Sequence, residues 1–138
     1  MSNTNTDNRK RKAVLPPIKV TKDDMRRLNV LANSSTELFP RVSHFLAREM
    51  ERATVVADGT DLHGVVRMGS RVSYSVEKTG EAREVVLVYP HEANIELNKI
   101  SVLTPIGAAL IGLSAGQSIE FQTPGHQVRS LTVLGVSE

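Results

Sequence analysis

The stretch Lys99-Ile100-Ser101-Val102-Leu103-Thr104-Pro105-Ile106-Gly107-Ala108-Ala109-Leu110-Ile111-Gly112-Leu113-Ser114-Ala115-Gly116-Gln117 changes its structural grammar in the middle. Lys99 to Leu103 reads as a strand. Thr104-Pro105 then supplies an N-cap hydroxyl followed by proline at the first helical position, where a missing N–H leaves no hydrogen bond unmade. Ile106 to Ile111 forms a short apolar helix, and Gly112 stops it. So short a helix is stable only when packed on something larger.

The flanking sequence supplies that larger element. Upstream, Arg71-Val72-Ser73-Tyr74-Ser75-Val76 alternates with period two, Thr79-Gly80 marks a turn, and Glu84 to Tyr89 is a valine-rich run suited to a central strand. Downstream, Ser118 to Gln122 returns to strand, Thr123-Pro124-Gly125 turns the chain, and Val128 to Val136 alternates as a last strand. The second half is therefore expected to be a strongly bent antiparallel sheet carrying one short helix, and the chain as a whole an α+β protein.

The first half has helical spacing. Thr21 can cap a helix, with Asp23 and Asp24 favoured at its positive end, and Met25, Leu28, Leu31 and Ala32 place one apolar face along residues 22–33. Asn33-Ser34-Ser35-Thr36 breaks it. A second helix begins near Pro40 and runs through Val42, Phe45, Leu46 and Glu49 to Ala53. So short a connection makes the two helices antiparallel, a hairpin of about 20 Å at 1.5 Å per residue. The domain reading is a disordered basic tail over 1–17, the hairpin over 18–54, a linker over 55–64 with turn chemistry at Asp58-Gly59, and the sheet domain over 65–138.

Composition narrows the chemistry. The chain has 138 residues, 40% of them hydrophobic, enough for one good core and a small appendage. It has no cysteine, which excludes disulfides, thiolate metal sites and thiol catalysis. No run of about 18 apolar residues occurs, and the polar, then basic start lacks the apolar stretch of a secretory signal, so a cytoplasmic protein without membrane contact is expected. The net charge is +2, yet residues 1–20 contain Arg9, Lys10, Arg11, Lys12 and Lys19 against Asp7, while the rest carries 12 basic and 14 acidic residues. The excess positive charge lies in the tail, where Arg9, Lys10, Arg11 and Lys12 offer a salt-sensitive contact to nucleic acid or another polyanion.

Motifs for catalysis are missing. His44, His63, His91 and His126 show no ligand spacing and read as solvated surface residues, so no metal site is expected. Ser34, Ser35 and Ser114 lie in no nucleophile elbow. Gly107 and Gly112, within and at the end of a helix, answer to packing and capping and form no phosphate loop.

The Lys99–Gln117 stretch, with Thr123-Pro124-Gly125 after it, resembles the C-terminal domain of bacterial Gre-type transcript-cleavage factors over about residues 65–136. The short hairpin and Val86-Leu87-Val88-Tyr89-Pro90 narrow the likeness to the nucleoside diphosphate kinase regulator family. The resemblance implies an FKBP-like sheet domain that grips RNA polymerase at the rim of its secondary channel. It also implies contact residues at the start of the short helix, here Leu103, Thr104, Pro105 and Ile106. Full-length Gre factors have a hairpin several times longer, tipped by acidic residues that hold a metal ion at the polymerase active centre.

Here the hairpin turn offers only Glu37, and one carboxylate is a poor ligand set for a hard cation. The resemblance therefore implies a non-catalytic regulator that excludes other channel factors, with no cofactor and no cleavage activity. Two other readings remain. An FKBP-like sheet suggests a prolyl isomerase or chaperone, but Phe39 and Phe45 are assigned to the hairpin, leaving Tyr74, Tyr89 and Phe121 to line a pocket and fill the core. The basic tail suggests a nucleic-acid-binding protein.

Overall fold

Thr21 opens the first helix as its sequence requires: its hydroxyl accepts from the Asp24 N–H at 3.2 Å. In the computed structural model, which describes residues 15–77 and 80–137, helix α1 spans Lys22–Ser34 and helix α2 spans Pro40–Arg52. The turn between them closes through the Phe39 N–H on the Ser35 carbonyl at 2.9 Å. Arg9, Lys10, Arg11 and Lys12, and with them residues 1–14 of the expected tail, lie outside the described residues, as does Thr79 of the expected Thr79-Gly80 turn.

Two short strands frame the hairpin. β1 (Lys19–Thr21) and β2 (Thr54–Val56) pair in parallel, Val20 opposite Val55, so the chain enters and leaves the hairpin side by side. The sequence placed Val55 and Val56 in a linker, because three residues are too few for period two to show. Leu62, in the same segment, is buried.

The larger sheet contains β3 (Arg71–Val76), β4 (Ala82–Val88), β5 (Lys99–Ser101), β6 (Ser118–Gln122) and β7 (Val128–Ser137) in the order β5-β4-β3-β7-β6. Four of these pair antiparallel, while β5 joins the edge parallel to β4 with Val86 opposite Lys99. That parallel edge follows from the connection, in which two 3₁₀ turns, Pro90–Glu92 and Ile95–Leu97, carry the chain back to start β5. The bend has a local origin too. Ser73 pairs with Gly135 and Tyr74 with Val133, so Leu134 is an extra residue in β7, a bulge that kinks the strand.

Helix α3 (Pro105–Leu110) buries Gly107, Ala108, Ala109 and Leu110. One apolar core runs through the protein: Leu28, Ala32, Leu46 and Met50 of the hairpin join Val66, Val72, Leu87, Leu110, Ile111, Leu113 and Leu131 of the sheet domain. At about 2 kcal/mol per fully buried leucine, the hairpin's apolar stripe is a substantial part of the folding free energy. It is covered by the protein's own sheet domain.

Gly112 secures this junction. Its φ of +83° favours glycine, and a Cβ there would lie 2.8 Å from the Cβ of Ile18. Its carbonyl accepts from the Lys19 N–H at 3.1 Å, which ties β1 to the end of α3.

Candidate docking site

The start of α3 is held by a compact set of hydrogen bonds. Thr104 Oγ1 accepts from the Gly107 N–H at 3.0 Å and donates to the Ser101 carbonyl at 2.8 Å. Ser101 Oγ accepts from the Leu103 N–H at 2.9 Å. These bonds fix the β5-to-α3 corner and leave Thr104, Pro105 and Ile106 half-buried, each with a face to solvent. Leu103 is different: only 8% of its surface is exposed, and it packs into the core. Of the four residues expected to meet a partner, Leu103 serves mainly as the floor beneath the other three.

An open cleft of about 530 Å³ lies beside this corner. α2 contributes Pro40, Arg41, Val42 and Phe45, with Phe39 just before it, to one wall; Phe121, Gln122, Thr123, Pro124 and His126 form the other. Leu103, Thr104 and Pro105 complete it. All three phenylalanines of the chain meet here. The sequence had assigned Phe39 and Phe45 to the hairpin alone, because no periodicity within one helix reports which strand will pack opposite it.

Arg41 bridges the cleft. Its guanidinium donates to Nδ1 of His126 at 2.6 Å and reaches Gln122 Oε1 at 3.5 Å. Arginine has no acceptor, so Nδ1 of His126 takes that role. His126 sits at φ +68° in the β6–β7 turn, which is closed by the Thr123 N–H on the Gln127 carbonyl at 2.8 Å. Sequence reasoning set His126 aside as a surface histidine. It is exposed, and it is also the contact that joins the turn to the hairpin.

The hairpin tip is apolar. Leu38 is 81% exposed and Phe39 48%, next to an exposed Glu37. Among the described residues, no group of three or more His, Asp or Glu side chains is arranged to hold a metal ion.

At the opposite, open end of the hairpin a polar seam joins α1 to the sheet. The Arg27 guanidinium lies 4.9 Å from the centre of the Tyr89 ring. Burial, with the Asp24 carboxylate beside it, pushes the Tyr89 hydroxyl up to about 12, opposed by the Arg27 charge. Burial likewise raises the Asp24 carboxyl, and Arg67 pulls it back down.

Comparison with known proteins matches both halves of this architecture. Residues 61–138 match the family described as transcription elongation factor, GreA/GreB, C-term, and residues 16–56 match the Rnk N-terminus. The regulator of nucleoside diphosphate kinase of Escherichia coli (strain K12) is 34% identical over 119 residues, 86% of this chain and 88% of that protein.

The chain belongs to the family of regulators of nucleoside diphosphate kinase. The family shares its second half with the Gre factors. Transcription elongation factor GreA of Ruegeria pomeroyi is 41% identical over 81 residues, 59% of this chain, and the match spans about half of that longer protein, 51%. A solved structure, the prokaryotic transcription elongation factor GreA/GreB from Nitrosomonas europaea, superposes with a TM-score of 0.69 at 35% identity, covering 89% of this chain and 99% of that one. Membership in this family makes the protein a Gre-like transcription regulator, and among its described residues no helix is long and apolar enough to cross a membrane.

Proposed function

We propose that the protein docks on RNA polymerase at the rim of the secondary channel and excludes other channel-binding factors, without stimulating transcript cleavage. The observation that carries this reading is the solvent-facing Thr104-Pro105-Ile106 corner, braced from behind by Leu103 and opening onto the apolar cleft. A rigid, partly apolar corner beside a concavity has the form of a protein-docking surface.

The hairpin supports the non-catalytic half of the reading. Each helix has 13 residues, a length of about 20 Å. Its tip presents Leu38 and Phe39 beside the single carboxylate Glu37, which gives a catalytic Mg²⁺ one oxygen ligand group where it needs several. Occupancy of the rim requires affinity and no chemistry.

The test is competition for core RNA polymerase against a labelled Gre-type factor, with transcript cleavage followed on arrested complexes. Displacement by the wild type, weakened by Pro105→Ala, with no added cleavage, is the expected result. Leu103 is a poor probe because a charge there would disturb the core. Failure to displace at micromolar protein, or stimulated cleavage, would refute the proposal.

The meeting of Phe39, Phe45 and Phe121 favours a second reading, a prolyl isomerase or chaperone that takes an apolar peptide. Turnover of a proline peptide above background, abolished by Phe121→Ala, would establish it. A nucleic-acid role for Arg9, Lys10, Arg11 and Lys12 predicts binding that falls steeply with salt and disappears when residues 1–17 are deleted.

A further inference from the structure

The larger sheet ends on two edge strands, β5 and β6, and only one edge is closed. At β5 the chain covers itself. Lys99 donates its N–H to the Asn94 carbonyl and accepts from the Asn94 N–H, both at 2.9 Å, and the Ser101 carbonyl takes the Thr104 N–H at 3.2 Å and the Thr104 hydroxyl at 2.8 Å.

The β6 edge has no such cover. The Val133 N–H donates to the Gln117 carbonyl at 3.0 Å and the Thr123 N–H to the Gln127 carbonyl at 2.8 Å. In this unbroken antiparallel register the hydrogen-bonded pairs alternate, so Ile119 and Phe121 turn their backbone groups to β7. The N–H and C=O of Ser118, Glu120 and Gln122 therefore point away from it, and among the described residues no further strand pairs with β6. The edge is about 17 Å long at 3.4 Å per residue. It is also held at both ends: Ser118 Oγ lies 2.6 Å from Thr132 Oγ1, and Gln122 Oε1 accepts from Arg41 at 3.5 Å. Proline, lysine and bulges, the usual means of blunting an edge, are missing from Ser118–Gln122.

We infer that the β6 edge is a strand-addition site for an extended segment of a protein partner with a lysine or arginine at its centre. Backbone bonds to Ser118, Glu120 and Gln122 supply the affinity of such a pairing, and cross-strand side chains supply its choice of partner. The side chain opposite Glu120 shares its solvent-facing row, where Glu120 is exposed and has no ion-pair partner among the described residues. A cation there completes a cross-strand ion pair. A second copy of this chain fits less well, because the antiparallel register that uses all three residues sets Glu120 opposite Glu120 of the second copy, and like charges directly opposite are destabilising. Ser118 and Glu120 lie outside the cleft beside Pro105, so the site is a surface apart from the corner of the proposed function.

The test is amide hydrogen exchange, followed by NMR, of the labelled full-length protein with a capped peptide of about seven residues, lysine at its centre, threonines two places to either side and valines between. At saturation the amides of Ser118, Glu120 and Gln122 should slow about tenfold, while those of Ile119 and Phe121, already bonded to β7, change little. Glu120→Lys should weaken this peptide about fivefold and favour one with glutamate at its centre. N-methylation of the peptide's edge-facing amides should abolish binding of either. Binding that survives N-methylation, or that ignores Glu120→Lys, would overturn strand addition. Protection of the same three amides that rises with protein concentration in the absence of peptide would overturn the choice of occupant in favour of a second copy.

Discussion

A Cβ built on Gly107 would stand 2.2 Å from the carbonyl oxygen of Ser101 and 2.9 Å from Thr104 Oγ1. The close approach of Gly107 to Ser101 lets α3 leave β5 in so few residues. It also places the solvent-facing corner at Pro105.

Gly107→Ala should therefore destabilise the fold by about 3 kcal/mol, since backbone as well as side chain must move to admit the methyl group. Denaturant unfolding checks this. A loss within 0.5 kcal/mol, inside the usual range for exposed surface sites, would mean that the corner yields easily.

Thr104→Ala removes the cap that the Gly107 N–H and the Ser101 carbonyl share, and should cost about 1 kcal/mol, while Thr104→Ser should retain most of it. Thermal melts of the pair give the difference. Because the corner carries the proposed polymerase contact, Thr104→Ala should also weaken competition with a Gre-type factor, and Thr104→Ser should not.

Arg52→Ala should cost about 2 kcal/mol. Glu49 is 3% exposed and is held by two bonds from Arg52, Nε at 3.0 Å and Nη2 at 2.7 Å, while Arg52 also bonds the Pro16 carbonyl. Removal of the cation leaves a buried carboxylate unpaired, which in a fully buried pair costs about 3–5 kcal/mol; Arg52 keeps about a quarter of its side chain in water, hence the smaller figure. Addition of Glu49→Gln to Arg52→Ala should recover part of the loss, and a double-mutant cycle measures it.

Stability should decline at high pH. Tyr89 ionises at about 12 in the folded protein against an ordinary 10.0, so the folded state keeps a proton that the unfolded chain releases. The stabilisation is complete below pH 10 and is lost as pH rises towards 12. Tyr74, also raised by burial, contributes in the same direction. Tyr89→Phe should flatten the fall in unfolding free energy above pH 10 without abolishing it; an unchanged slope would mean that the hydroxyl is freely solvated.

Each kind of element left a different mark on the sequence. The amphipathic helices, the Thr104-Pro105 helix start and the alternating strands are set by local rules of capping and periodicity, and Thr21 and Thr104 cap where their hydroxyls predict. The strands β1 and β2 passed unnoticed because three residues carry no period, and β5 pairs parallel because of the path the chain takes from Pro90 to Asn98.

By itself the sequence determined the fold class, the order of the three helices and of the strands of the larger sheet, the helix start at Thr104-Pro105 and the shortness of the hairpin, because each depends on residues adjacent or one helical turn apart. Only the tertiary structure decided that Leu103 faces inward, that Phe39 and Phe45 meet Phe121, and that Arg41 reaches His126 across 85 positions of chain. Those contacts arise where two amphipathic surfaces close on one another. Period reports which face of an element is apolar, and leaves the choice of its packing partner to the balance of burial over the whole fold.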